Sequence, residues 1–175
     1  DSNIILFIPN INSVRVFISG KEERVCFRNS EEWVVGDYEK DIAPELQEAI
    51  NNTIEKGNSR IPEKYKDFDC TKVSFACKHE GAMIKTVDKA TLYCYLPTKA
   101  SWGFPFLMNT DMIPKGDRND IETEVKLANA DESNFNEELA AIAGDKFFCW
   151  IRDLLTSRKY QLGSVFSLIP EIGRA

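Results

Sequence analysis

Apolar residues recur in this chain with two different periods, and the order in which the periods alternate constrains the fold more than any other feature. In "SVRVFIS", residues 13–19, Val14, Val16 and Ile18 occupy every second position, the spacing of a strand with one buried face. Between Asp41 and Gly57 the spacing changes. Ile42, Leu46, Ala49, Ile50, Thr53 and Ile54 fall on one side of a helix, with Asp41 placed to cap its amino end and Pro44 suited to its first turn. A second helix is expected to begin near Asn134, where Asn134 and Glu137 resemble a capping pair, and to run through Phe135, Leu139, Ile142, Phe147, Trp150, Ile151 and Leu154. Its apolar stripe is wide, so it needs a sheet to lie against.

The segments between the helices read as strands. The amino-terminal run "NIILFIP" is expected to form a hairpin with "SVRVFIS" across a Pro-Asn-Ile-Asn turn, and "RVCF" and "EEWVVGDY" to extend it into an antiparallel meander over the first forty residues. After a polar, proline-containing loop come "KVSFAC", a turn at "KHEG", then "AMIKTV", "TLYCYLP" from Thr91 to Pro97, and "FPFLMN". The tail "GSVFSLIP" reads either as an edge strand or as a segment leading onward. Strands, helix, strands, helix is the order of an α+β fold, a mixed, largely antiparallel sheet with helices packed on one face. At 175 residues, 43% of them hydrophobic, the chain suits one domain spanning 1–175. It lacks an initiator Met and enters an apolar run at once, so it is expected to be a domain of a longer polypeptide.

Charge and motif content narrow the chemistry. Twenty-two Lys and Arg against 28 Asp and Glu give a net charge of -6, which argues against a nucleic-acid surface. No stretch reaches the roughly 18 apolar residues of a membrane span. Five cysteines, Cys26, Cys70, Cys77, Cys94 and Cys149, are odd in number and never arranged as CxxC; they read as reduced thiols of a cytoplasmic protein. Phosphate-loop, dinucleotide, nucleophile-elbow and zinc motifs are absent from the sequence, which counts against a self-contained enzyme. His79, the one histidine, sits in the turn-like "CKHEG" and reads as a surface residue rather than a catalytic base. The acidic run "DESNFNEE" reads as a helix amino end and lacks calcium-loop spacing, so no metal site is expected.

One stretch stands apart. In "GFPFLMNTDMIPKGDRNDIE" an apolar strand leads into a loop carrying Pro114, Lys115, Gly116, Asp117 and Arg118, and then towards a helix start, an arrangement that presents charge at a scaffold edge. Composition alone describes a polar turn, with Asp117 or Asn119 capping the next segment and Arg118 in a surface ion pair. However, "LYCYLPTKASWGFPFLMNTDMIPKGDRNDIE" resembles the signature of sacsin-like proteins and their bacterial relatives with a histidine-kinase-like (GHKL) ATPase domain. The later segment "FNEELAAIAGDKFFCWIRDLL" is similar to the helix that follows in those bacterial proteins, and the two together cover about a third of the chain. More distantly, "DMIPKGDRNDIE" is similar to the catalytic loop in the middle domain of the ninety-kilodalton heat-shock chaperone. Matched residue by residue, Asp111 falls near that loop's acidic position and Arg118 on its arginine, while Asp117 replaces the usual serine.

The resemblance implies a middle, or transducer, domain with the fold of the second domain of small-subunit ribosomal protein five. It implies that Arg118 contacts the γ-phosphate of ATP held by an amino-terminal ATP-binding domain of the same chain. Lys115 and Lys99 are further candidates for that phosphate. A planar, permanently charged guanidinium that grips two phosphate oxygens suits such a task, and a glycine-containing loop on a rigid strand would deliver it on domain closure. ATP and magnesium are implied for the parent protein, with neither bound by these 175 residues alone, because the Asn/Glu box and Asp-x-Gly-x-Gly adenine site of the class are missing from them. Protein clients are the other implied partners. Two further readings stand beside this one: a plain protein-interaction module, and an enzyme with an unfamiliar site.

Overall fold

The first forty residues do not make one meander. The computed structural model describes residues 2–8, 11, 13–27, 32–57, 60–88, 90–101, 103–128 and 133–170. Ser2–Phe7, read from sequence as a strand, is a 3-10 helix, and β1 (Ser13–Ile18) pairs antiparallel with β2 (Lys21–Phe27) instead. The turn between them accounts for the pairing: Ser19 and Gly20 have φ of 50° and 79°, the left-handed pair whose twist suits a two-residue hairpin. Apart from Ile11, the Pro-Asn-Ile-Asn segment lies outside the described residues. β3 (Trp33–Asp41) leaves this ribbon for a second sheet, where it pairs antiparallel with β4 (Cys70–Glu80).

Between β3 and β4 lies α1 (Pro44–Glu55), which starts on Pro44 as its fixed φ favours. Asp41 does not cap it. That residue ends β3 opposite Cys70, and Ala43 takes the cap position without a side-chain hydrogen bond. β5 (Met83–Lys85) folds back on β4. The segment "TLYCYLP" is not one strand: it breaks at Tyr95, φ 63°, into β6 (Thr91–Cys94) and β7 (Leu96–Ser101), an antiparallel pair joined by that single residue. β8 (Leu107–Asn109) then inserts between β4, to which it is antiparallel, and β6, to which it is parallel, giving the order β3-β4-β8-β6-β7. The second helix, α2 (Phe135–Thr156), begins where the sequence places it; Asn134 Oδ1 accepts from the Asn136 N–H. The tail forms no strand, since Leu162–Phe166 is a short helix, α3.

Alternation along the central strands sorts the core into two layers. Val73, Phe75, Cys77, Leu92, Cys94 and Met108 face α1 and α2, while Ala76, Tyr93 and Leu107 meet Leu6 and Phe7 of the 3-10 helix on the other face. The helical face is closed by aromatic packing, with Phe75 stacked on Trp150 at 5.2 Å and Phe106 on Phe147 at 5.0 Å between centroids. Gly36 lies opposite Phe75 in the β3–β4 register, and a Cβ there would sit 2.5 Å from Cδ1 of Trp150. The helix therefore approaches β3 only because that position carries no side chain. Among the described residues no helix is long and apolar enough to cross a membrane.

Candidate functional site

The loop after β8 is built as a small ladder. The N–H of Glu122 bonds the carbonyl of Ile113 at 3.0 Å, that of Lys115 the carbonyl of Asp120 at 2.9 Å, and that of Arg118 the carbonyl of Lys115 at 2.8 Å. Asn136, in the first turn of α2, holds its base: Oδ1 accepts from the Ile113 N–H, and Nδ2 donates to the carbonyls of Ile113 and Glu122. No helix starts directly after the loop. Ile121 bridges back to Pro114, and the next helical residue among those described is Phe135.

At the tip, Asp117 turns to Asn119, accepting from its backbone N–H at 3.0 Å and from its Nδ2 at 2.7 Å. The Asp117 carboxylate thus closes a local turn and does not pair with the arginine beside it. Those donors hold its pKa below the usual carboxylate range, the Asn119 N–H contributing most. Asp120 is lowered in the same way, first by the N–H of Ile121 and then by Lys115.

Arg118 has φ of 55°, a conformation that is unusual for a residue with a side chain. Its carbonyl accepts from the Lys99 N–H on β7 at 2.9 Å. Its guanidinium lies across the β6–β7 corner, Nε donating to the carbonyl of Pro97 at 3.1 Å and Nη2 to those of Cys94 at 3.2 Å and Leu96 at 2.5 Å. No carboxylate pairs with it among the described residues. Carbonyls satisfy its donors without neutralising its charge, so the corner carries a full positive charge at the sheet edge. Lys115 and Arg118 of the loop and Lys99 of β7 are joined here by two backbone hydrogen bonds. Lys115 Nζ lies 3.3 Å from Asp120, and the Lys99 side chain is exposed.

Across the corner from Arg118, Tyr95 is anchored twice. Its N–H donates to Asn109 Oδ1 at 3.0 Å and its hydroxyl to Asp111 Oδ1 at 2.5 Å. Asp111 is 6% exposed. Its other oxygen accepts from Thr71 Oγ1 at 2.8 Å and the Lys72 N–H at 2.9 Å, and its carbonyl accepts from the Tyr65 hydroxyl at 2.7 Å. Lys64 Nζ rests 4.7 Å from the centroids of both tyrosine rings. Burial raises both phenols, with Asp111 adding to the effect, so each remains a hydrogen-bond donor at neutral pH. The acid that the resemblance places before the loop thus ties Thr71, Lys72 and Tyr95 together at the corner.

The remaining sequence candidates lie elsewhere. His79, in a stretch read from sequence as turn-like, lies on β4 opposite Ile84 of β5 and is partly buried, its Nδ1 donating to the Gly81 carbonyl at 3.0 Å and its ring edge-on to Tyr160. Cys77 and Cys94 are buried free thiols, each pushed up to about 12 by burial; Cys70 and Cys149 are half-buried free thiols, and the Cys26 side chain lies outside the described residues. Tyr95, Asn109 and Asn136 were not singled out from sequence. The polar run "NTD" directly after an apolar strand was the available signal for Asn109, whereas nothing local marks Tyr95 as a left-handed turn residue. Comparison with models of known protein families, with characterised proteins and with solved structures returns no match.

Proposed function

We propose that this chain is the transducer domain of a chaperone-like or histidine-kinase-like ATPase, in which Arg118 meets the γ-phosphate of ATP bound by a neighbouring domain. The observation that carries the reading is the state of the guanidinium: ordered at a sheet edge, bonded only to carbonyls, and unpaired with any described carboxylate. A phosphate offers two anionic oxygens to the same fork and is the stronger partner. Moving from the carbonyls of residues 94, 96 and 97 to a phosphate would couple nucleotide state to the β6–β7 corner. Lys99 and Lys115 add positive charge to the edge that such an anion approaches.

The test is steady-state ATPase activity and ATP binding of the longer polypeptide that joins this domain to its ATP-binding domain, as wild type, Arg118→Ala and Arg118→Lys. Arginines delivered to a nucleotide in this way are worth about 10³ to 10⁵ in rate. Arg118→Ala should lower turnover at least about tenfold with ATP still bound, and lysine should rescue it poorly because it lacks the planar fork. Unchanged turnover would reject the reading. It would leave the interaction-module alternative, which one observation favours: Val14, Val16, Phe17 and Ile18 of β1 are all exposed.

A further inference from the structure

Near the middle of α2 stands an exposed glycine, Gly144. Glycine is among the poorest residues for a helix interior, and where one sits there the usual reason is a close approach that a side chain would block. Gly36 has such a reason within the chain, the Trp150 indole. Gly144 has none, since a Cβ built on it meets nothing within 4 Å beyond its own turn of helix. The space it leaves opens outward.

That space has the form of a socket. Glu137, Ala140, Ala141 and Gly144 are all exposed and stand at i, i+3, i+4 and i+7, the four positions that frame a hole for one side chain of a facing helix. Three of the four are small, so a second helix can come close. Ala140 and Gly144 also wall an apolar cavity of about 160 Å³ that runs inward to Phe104 and Phe106, which makes the apolar surface beside the hole continuous. A matching knob lies on the same helix. Phe148, one turn beyond Gly144, is 68% exposed, more than any other large apolar side chain described, and its ring packs 5.8 Å from that of Phe147.

Knob and hole are placed evenly about Gly144, as a two-fold contact requires. When two copies of α2 run antiparallel and cross at that residue, Phe148 of each reaches the level of Ala140 in the other. Arg152, a further turn on, then reaches the level of Glu137. Both are exposed and opposite in charge, and Arg152 otherwise holds only a surface pair with its neighbour Asp153 at 3.3 Å. Asp145 lies about 100° round the helix from Gly144, at the rim where solvent screens it. We propose that this face of α2 is a dimer interface, each Phe148 entering the hole of Glu137, Ala140, Ala141 and Gly144 on a second copy of the chain and each Arg152 pairing with the other copy's Glu137. The interface is independent of the role of Arg118.

The test is sedimentation equilibrium of the chain from about 1 to about 100 μM, over which the mass of two copies should build up with concentration. Gly144→Leu fills the hole with a good helix former and meets nothing inside the chain, so the monomer keeps its fold; it should weaken dimerisation at least about tenfold, as should Phe148→Ala. Arg152→Glu and Glu137→Arg should each weaken it about fivefold or more, and the two together should restore it to within about twofold. A chain that stays monomeric throughout would overturn the proposal and leave the hole to a different protein. A dimer unmoved by folded Gly144→Leu, or charge reversals that do not rescue one another, would overturn it as well.

Discussion

Tyr95 turns the β6–β7 corner and Arg118 clamps the carbonyls on either side of it, both residues in left-handed conformations that side chains disfavour. Such backbone persists only where neighbouring bonds over-determine it. On the Tyr95 side the determinant is Asp111, whose carboxylate fixes the phenol, Thr71 and the start of β4 together. Asp111→Asn keeps the shape but turns one acceptor into a donor facing donors. It should cost about 2–3 kcal/mol of stability, read as a lower urea midpoint with an unchanged slope. A loss below about 0.5 kcal/mol would mean that the corner is held by Arg118 alone. The role of Asp111 in the corner was not legible in the sequence. An acid before a loop carries no mark of burial, because its three donors come from residues 71, 72 and 95.

Elements were legible where one physical signal dominated. Helical spacing from Ile42 to Ile54 and from Phe135 to Leu154 located α1 and α2, because a stripe of apolar positions persists over several turns. Short strands carry less information. "TLYCYLP" has strand composition throughout, yet it folds back at Tyr95, whose left-handed backbone is held by its N–H bond to Asn109 and its hydroxyl bond to Asp111. The Arg118 loop was legible as a polar turn, but its ladder depends on Asn136, supplied from beyond the loop. Within that loop, Asp117 and Asp120 are both depressed by backbone N–H groups of their own turn. A carboxylate lowered in the folded state contributes its bonding above its unfolded pKa, about 3.9, and loses it as pH falls through the lower folded value. The Asn119 and Ile121 N–H signals should therefore stay constant from neutral pH down to that value. Below it they should move toward those of an open turn, with carbon-detected carboxyl titrations of both residues centred below the ordinary range. Midpoints at or above about 3.9 would contradict the turn geometry.

For the molecule as a whole, the decisive contact is the approach of α2 to the β3–β4 pair. Gly36, opposite Phe75, leaves the space that the Trp150 indole occupies, and the ring then stacks on Phe75. Gly36→Ala places a methyl group 2.5 Å from that ring, so helix and sheet must separate locally. A loss of about 1–3 kcal/mol is expected, visible as a melting temperature lower by about 2–4 °C per kcal/mol and a changed near-ultraviolet signal from the tryptophan. An unchanged melting curve would show that the layer yields more easily than its packing suggests. By itself the sequence determined the α+β class and the two long helices, because each helix follows from a period that neighbouring residues repeat, whereas the alternation of Val14, Val16 and Ile18 marks a strand whose residues are all exposed. It also placed charge at the Arg118 loop. Tertiary structure alone decided that the amino-terminal apolar run covers the second face of the sheet, that "TLYCYLP" turns back on itself, and that Arg118 rests on three carbonyls. Those outcomes depend on which strand fills a neighbouring place in the sheet, and a hydrogen bond between residues distant in sequence leaves no local periodic trace.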